Sequence, residues 1–360
     1  MDGMPRRVPE RRDRWGRLED RRPGRDEAKH CVDQGTAMRT YIATLFGVVV
    51  LVFLAGSPAS AQLSRLPAAV QVALAEIGPQ WQSDIRTFIP RTRELFLPLL
   101  AEAPKAGVSV TPDIAYGDDP KQRLDVYRPA AVVGAPIIIF VHGGALTRGD
   151  KNTNAEAYAN VLYFFGRHGL VGINGNYRLA PQHRYPAAAF DIGRVVAWAQ
   201  ANAADYGGDP GRIFLIGHSS GGTHAATWAY DRKIHGPAGP GIAGLILLSG
   251  RLRADNRPDD PNAAGVEAYF GTDPSLYPTR SPITHGAASD VPTFIVVAEY
   301  DNPFLDAYGA DLFSRLCTTR GRCPRFTQLI GHNHMSMVMA FNTADEALGR
   351  EILDFIAVGW

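Results

Sequence analysis

The chain has 360 residues, 45% of them hydrophobic and 20% charged, which is the composition of a globular protein with ample length for a large core. Thirty-seven basic residues stand against 36 acidic ones for a net charge of +1, so the sequence carries no electrostatic footprint for nucleic acid or for an anionic membrane surface. A small-molecule partner is the expectation that remains, and nothing in the sequence speaks to oligomeric state.

Residues 1–37 are crowded with Arg, Asp, Glu and Gly and lack apolar periodicity, so they read as a disordered leader with no catalytic part. Met38-Arg39 opens a different segment, in which residues 41–55 are almost wholly apolar and Ala59-Ser60-Ala61 has the A-x-A form of a cleavage site before Gln62. Residues 38–61 therefore read as a secretory signal peptide, with translation starting at Met38. The expected product is secreted or periplasmic, with no stable membrane insertion after cleavage. The apolar run is short for a span of about twenty residues, and an anchor formed by residues 41–55 is the alternative. Cleavage after Ala61 would remove Cys31 and leave Cys317 and Cys323, an even pair that in an exported protein suggests a disulfide closing a small loop; two free thiols are the other reading.

Residues 62–107 form a helical extension, with Val70, Leu74, Ile77, Phe88, Phe96 and Leu99 in apolar groupings broken by Pro79, Pro90 and Pro98. It fits equally a lid over the active edge of a sheet and a plain extension. The catalytic domain is expected over residues 108–360. Strand signals begin near Val108 and recur at 123–127, 136–141, 170–177, 213–216, 245–248, 294–298 and 326–330, with helical stretches at 154–168, 187–204, 222–234, 304–316 and 345–355. Early strands joined by short turns and later ones alternating with helices predict an α/β fold of about eight strands, antiparallel first and then parallel. Residues 250–292, rich in Pro, Gly, Asp and Asn, read as a loop-rich insertion beside the site, or as a solvated loop.

One stretch organises the rest. Ile213-Phe214-Leu215-Ile216 is a short apolar run of the kind a strand buried on both faces shows, and Ala225, Ala226 and Trp228 follow at helical spacing. Between them Gly217-His218-Ser219-Ser220-Gly221 is a G-x-S-x-G elbow, whose tight turn would expose the Ser219 hydroxyl at the carboxyl end of the sheet. Ser219 is the predicted nucleophile, and Ser220, on the helix side, lends its backbone N–H. A second glycine-tipped strand runs into His142-Gly143-Gly144-Ala145; the amides of Gly143 and Gly144 with that of Ser220 would form an oxyanion hole. The base should be a histidine on a post-strand loop. In Gly331-His332-Asn333-His334, His334 is favoured over His332 because it lies further from the strand, and His332 reads as a supporting or surface residue; a metal pair there lacks an evident third ligand. Asp301, where residues 294–298 run into a polar loop, is the candidate carboxylate, with Glu299 and Asp306 as runners-up.

Ser219, Asp301 and His334 follow the chain order serine, acid, histidine, and the sequence at this point resembles the α/β-hydrolase family, in particular its carboxylesterase and lipase-like group with hormone-sensitive-lipase-type and feruloyl-esterase-like members. The likeness runs from about Tyr116 to the carboxyl terminus. It rests on Leu124-Asp-Val-Tyr-Arg-Pro129, His142-Gly-Gly-Ala145, Asn176-Tyr-Arg-Leu-Ala-Pro181 with Tyr185-Pro-Ala-Ala188, and Gly217-His-Ser-Ser-Gly-Gly222. It implies an exported serine hydrolase that cleaves small or medium carboxylic esters through an acyl-enzyme, with no cofactor and no metal. Ala145 stands where lipase-type relatives often carry a third glycine, which sets the chain apart from forms selective for bulky alcohols. Ala145 and Leu146 also stand where related arylformamidases tend to have an aromatic residue. An arylformamidase or amidase is the first rival reading, and a binding protein of the same fold without catalysis the second.

Overall fold

Eight strands form one sheet in the order β1-β2-β4-β3-β5-β6-β7-β8. They are β1 Val108–Ala115, β2 Arg123–Pro129, β3 Ala135–Val141, β4 Val171–Gly175, β5 Gly208–His218, β6 Gly244–Leu248, β7 Thr293–Tyr300 and β8 Arg325–Asn333. β2 pairs antiparallel with both β1 and β4, and every other pairing is parallel. The computed structural model describes residues 63 and 65–358; the leader and signal segments expected over residues 1–61 lie outside them.

The period of two along each strand sorts the apolar side chains into two cores. Ile137, Ile139, Leu215 and Leu247 face one side, where they meet helices α4 Ala187–Asn202, α5 Ser220–Tyr230 and α7 Leu305–Arg320. Ile138, Phe140, Ile216 and Leu248 face the other, against α1 Ala68–Ile77, α2 Ile85–Ala101, α3 Ala159–Arg167 and α8 Ala347–Val358. Central strands buried on both faces explain the unbroken apolar runs in the sequence. The eight-stranded, mostly parallel α/β architecture is the one the sequence predicts.

Three local readings differ from the structure. Pro90 and Pro98 do not divide the amino-terminal segment: α2 runs through both, capped by Asp84, whose carboxylate accepts from Thr87 N at 3.1 Å. Each proline deletes one i→i−4 bond, and the buried row Ile85, Thr92, Phe96 and Leu100 holds the helix on the sheet instead. α3 starts at Ala159 rather than 154, because the Asn154 side chain folds back on the amides of Glu156 and Ala157, at 2.9 and 2.7 Å, in a turn that competes with helix. Finally, residues 250–292 hold α6 Ala263–Phe270 and three short helical turns, and Arg251 at their start pairs with Asp255 and Asp260. Cys317, on α7, and Cys323 are joined as a disulfide.

Candidate active site

The carboxyl ends of five neighbouring strands meet at one edge of the sheet, and a polar or glycine residue follows each. β3 leads into His142-Gly143-Gly144, β5 into Ser219, β6 into Ser249, β7 into Asp301, and β8 into His334. In a parallel sheet these positions converge however far apart they lie in sequence.

Ser219 sits at φ 57° and ψ −123°, outside the regions open to an ordinary L-residue, and is held there from both sides. Its N–H donates to the Leu248 carbonyl at 2.9 Å, and its carbonyl accepts from Gly222 N at 3.0 Å. The elbow needs glycine for space: a β-carbon on Gly221 would lie 2.1 Å from the Val141 carbonyl oxygen, where the start of α5 presses on the end of β3. One on Gly143 would lie 2.9 Å from the Ser219 β-carbon, so the Gly143 backbone stands directly beside the hydroxyl-bearing residue. Gly143, Gly144, Ser219, Ser220 and His334 line one cavity of about 110 Å³. The positive end of α5 opens into the same space.

Asp301 and His334 form a buried pair, 1% and 2% exposed, with Nδ1 of the ring 2.8 Å from Oδ1 of the carboxylate. Asp301 is held by three further donors: Asn302 N at 2.8 Å on Oδ1, and Ser249 Oγ at 2.5 Å and Ala298 N at 3.3 Å on Oδ2. Carboxylate oxygens so engaged cannot swing away from the imidazole. The His334 N–H donates to the Tyr300 carbonyl at 3.0 Å, and its carbonyl lies 2.9 Å from His218 Nε2. Burial, with the neighbouring His334 and Arg93 adding to it, pushes the His218 imidazole well below its ordinary pKa, so His218 is neutral and donates Nε2–H to that carbonyl.

The competing residues lie elsewhere. Glu299 accepts from Gly331 N at 2.6 Å and Asp306 from Ala307 N at 2.8 Å; no hydrogen bond or ion pair joins either to His334. His332 lies 3.1 Å from Asp345 Oδ2 and 3.1 Å from Ser336 Oγ, a second buried set of Ser, His and Asp. It adjoins a void of only about 10 Å³, and Ser336 Oγ also accepts from Asn333 N at 2.9 Å, so this set braces the loop before His334 rather than fronting a substrate space. Among the described residues, no group of three or more His, Cys, Asp or Glu side chains is arranged to hold a metal.

Sequence reasoning missed seven contributors. Ser249 anchors Asp301, and the signal was available: it follows the apolar strand Gly244–Leu248 at the same edge as Asp301 and His334. Trp81 donates Nε1–H to Asn302 Oδ1 at 3.0 Å, and Gln82 reaches the Asp301 carbonyl at 3.2 Å, so the amino-terminal helices clamp the acid loop directly. Ile89 and Arg93 of α2 line the cavity, as do Arg251 and Asn262 from the segment after β6. No local pattern marks any of these beyond apolar spacing.

A strained serine at an elbow, a buried acid–histidine pair and glycine amides on one cavity, all at the carboxyl edge of this sheet, define a protein of the α/β-hydrolase class. The BD-FAE family model matches residues 124–237, which include the elbow. Esterase LipC of Mycobacterium tuberculosis is 30% identical over 202 residues, 51% of this chain and 49% of that protein. Carboxylesterase NlhH of the same organism is 30% identical over 249 residues, 62% of this chain and 75% of the relative. An arylesterase of Saccharolobus solfataricus is 30% identical over 218 residues, 56% and 70%. The chain thus spans about half the length of LipC and more than two thirds of the other two. The fold is that of an esterase from Pyrobaculum calidifontis, with TM-score 0.61 at 23% identity over 81% of this chain and 97% of that one. It is likewise that of the carboxylesterase EstE1 from a metagenomic library, with TM-score 0.57 at 21% identity over 77% and 96%. The chain belongs to the carboxylesterase family of α/β-hydrolases, the carboxylic-ester hydrolases.

Proposed function

We propose that the protein hydrolyses small carboxylic esters through an acyl-enzyme on Ser219. The observation that carries the reading is the buried Asp301–His334 pair, whose histidine lines one cavity with Ser219, Gly143 and Gly144. Asp301 engages Nδ1, so Nε2 is the ring nitrogen that takes the proton as Ser219 Oγ attacks the ester carbonyl. The developing oxyanion meets the N–H groups of Gly143, Gly144 and Ser220, each contributing on the order of 3 kcal/mol to transition-state stabilisation. His334 then returns the proton to the departing alkoxide, and water repeats the sequence on the acyl-enzyme. No cofactor enters these steps. The cavity measures only about 110 Å³, which favours short acyl groups.

The test is hydrolysis of p-nitrophenyl acetate, butyrate and decanoate by the chain from Gln62 and by Ser219→Ala, with the acyl adduct sought by mass spectrometry. Turnover that falls with chain length and vanishes in the variant is the expected result; equal release by both proteins refutes the reading. An N-formyl aryl amide in the same assay tests the arylformamidase alternative. Export belongs to the same proposal, supported by the sequence pattern of residues 38–61 and by the Cys317–Cys323 disulfide. Amino-terminal sequencing of the native product should begin at Gln62, and peptides from before Met38 would refute that part.

A further inference from the structure

The lining of the cavity has an unbalanced charge. Arg93, Arg148 and Arg251 contribute to it and no Asp or Glu does, since Asp301 stands behind His334. The three arginines are not alike. Arg251 is already neutralised by Asp255 and Asp260, and Arg148 is exposed, where water and salt screen it. Arg93 is half-buried on α2, and among the described residues no carboxylate lies within ion-pair distance of it. Its Nε is fully buried without an acceptor, while the rest of the guanidinium is within hydrogen-bonding reach of the buried Tyr158 hydroxyl, which also lines the cavity. A buried guanidinium N–H with no acceptor is costly to fold around, and such a group persists where something else accepts from it.

Arg93 is also fixed relative to the chemistry. Its neighbour Thr92 is buried, and Thr92 Oγ1 accepts from Asn333 Nδ2 at 3.1 Å; Asn333 directly precedes His334. α2 is therefore pinned to the base-bearing loop one residue from each partner. The positive charge reaches the elbow as well, where it adds to the forces that keep His218 neutral.

Resting on the ester reading above, we infer that the substrate of this site carries a carboxylate beside the scissile ester, which pairs with Arg93. A planar carboxylate matches the fork of a guanidinium, and a single uncompensated arginine balances one negative charge. If Arg93 instead served the oxyanion, neutral and anionic esters would depend on it equally; pairing with substrate makes the dependence selective.

The experiment compares each anionic ester with its neutral counterpart: mono-p-nitrophenyl glutarate with p-nitrophenyl pentanoate for a carboxylate on the acyl side, and 4-carboxyphenyl acetate with phenyl acetate for the alcohol side. Rates are corrected with Ser219→Ala, and the readout is the ratio of kcat/KM within each pair, which cancels any effect common to both esters. Wild type should favour the anionic member of one pair by roughly tenfold, the discrimination a charge-assisted hydrogen bond supplies. Arg93→Gln should bring that ratio to one or below, and Arg93→Lys should retain part of it. A wild-type ratio at or below one in both pairs overturns the inference, as does a ratio unchanged in Arg93→Gln. Turnover of neutral esters without preference refutes the carboxylate alone, whereas no turnover of any ester also refutes the reading on which it rests.

Discussion

Replacing Ser249 by alanine isolates the part of the site that holds the acid. Asp301 accepts from Ser249 Oγ, Ala298 N and Asn302 N in addition to His334 Nδ1, so the variant removes one donor of four and leaves the imidazole bond in place. A hydrogen bond to a charged group contributes about 1.5–3 kcal/mol, and with two amides still engaged the lower end applies. In the proposed mechanism Asp301 acts on the imidazolium that forms as Ser219 attacks, so the loss falls on the transition state: kcat for p-nitrophenyl butyrate should drop about tenfold while KM changes less than about twofold. Ser249 has φ 46°, so Ser249→Gly relaxes the backbone while also deleting the hydroxyl, and its kcat should match that of Ser249→Ala. The decisive comparison is the cycle with Asp301→Asn. Once the carboxylate is gone, Ser249→Ala should cost less than about threefold, because the hydroxyl's other contact is only the weak acceptor Met337 Sδ at 3.1 Å. Fully additive losses, or a KM effect at constant kcat, would refute this account of Ser249.

Two further predictions follow from the packing. A chain beginning at residue 104 should not fold: it removes Leu74, Ile77, Trp81 and Phe96, all fully buried, each contributing about 1.5–3 kcal/mol, against a net stability of roughly 5–15 kcal/mol. Circular dichroism would check this, and a soluble, cooperatively melting product with faster turnover would show that the helices are a detachable lid. The other concerns His224, buried between the rings of Tyr177 and Tyr269, where burial lowers its pKa from 6.5 to about 3. The folded state therefore binds this proton less readily than the unfolded state. Its contribution is fully present above about pH 6.5 and is lost as pH falls towards 3, on the order of 5 kcal/mol across the whole window. Between pH 7 and 4.5 the Tm of wild type should fall by more than that of His224→Phe, and equal falls would refute the assignment.

The residues legible in the sequence were those whose chemistry forces a local pattern. A serine at a strained elbow requires Gly221 because the Val141 carbonyl leaves no room for a β-carbon, and that requirement is written within a few positions of Ser219. Asp301 and His334 were legible for a related reason: each follows an apolar strand, and a parallel sheet carries all such positions to one edge. Ser249 obeys the same rule and was still passed over, because a serine after a strand has no chemistry of its own until Asp301 is placed opposite it. The expected insertion of residues 250–292 was read as loop because its buried side chains, among them Leu252, Val266, Phe270, Tyr277 and Ile283, are scattered among short helices and turns and form no sustained apolar period, with Arg251 paired to Asp255 and Asp260 between them.

Arg93 marks the limit of that kind of reading. On α2 it is one of several arginines in a helix, and spacing alone assigns it to the polar face. Its position depends on contacts that cross more than two hundred residues, through Thr92 to Asn333 and through the same helical unit from Trp81 to Asn302. Nucleophile and base must meet strict local geometry, so their surroundings are constrained near them in the chain. A group that selects the substrate has only to reach the cavity, and a helix from outside the sheet can supply it from anywhere. The identity of the reaction is therefore written close to Ser219, while the proposed choice of ester rests on Arg93, on a helix outside the sheet.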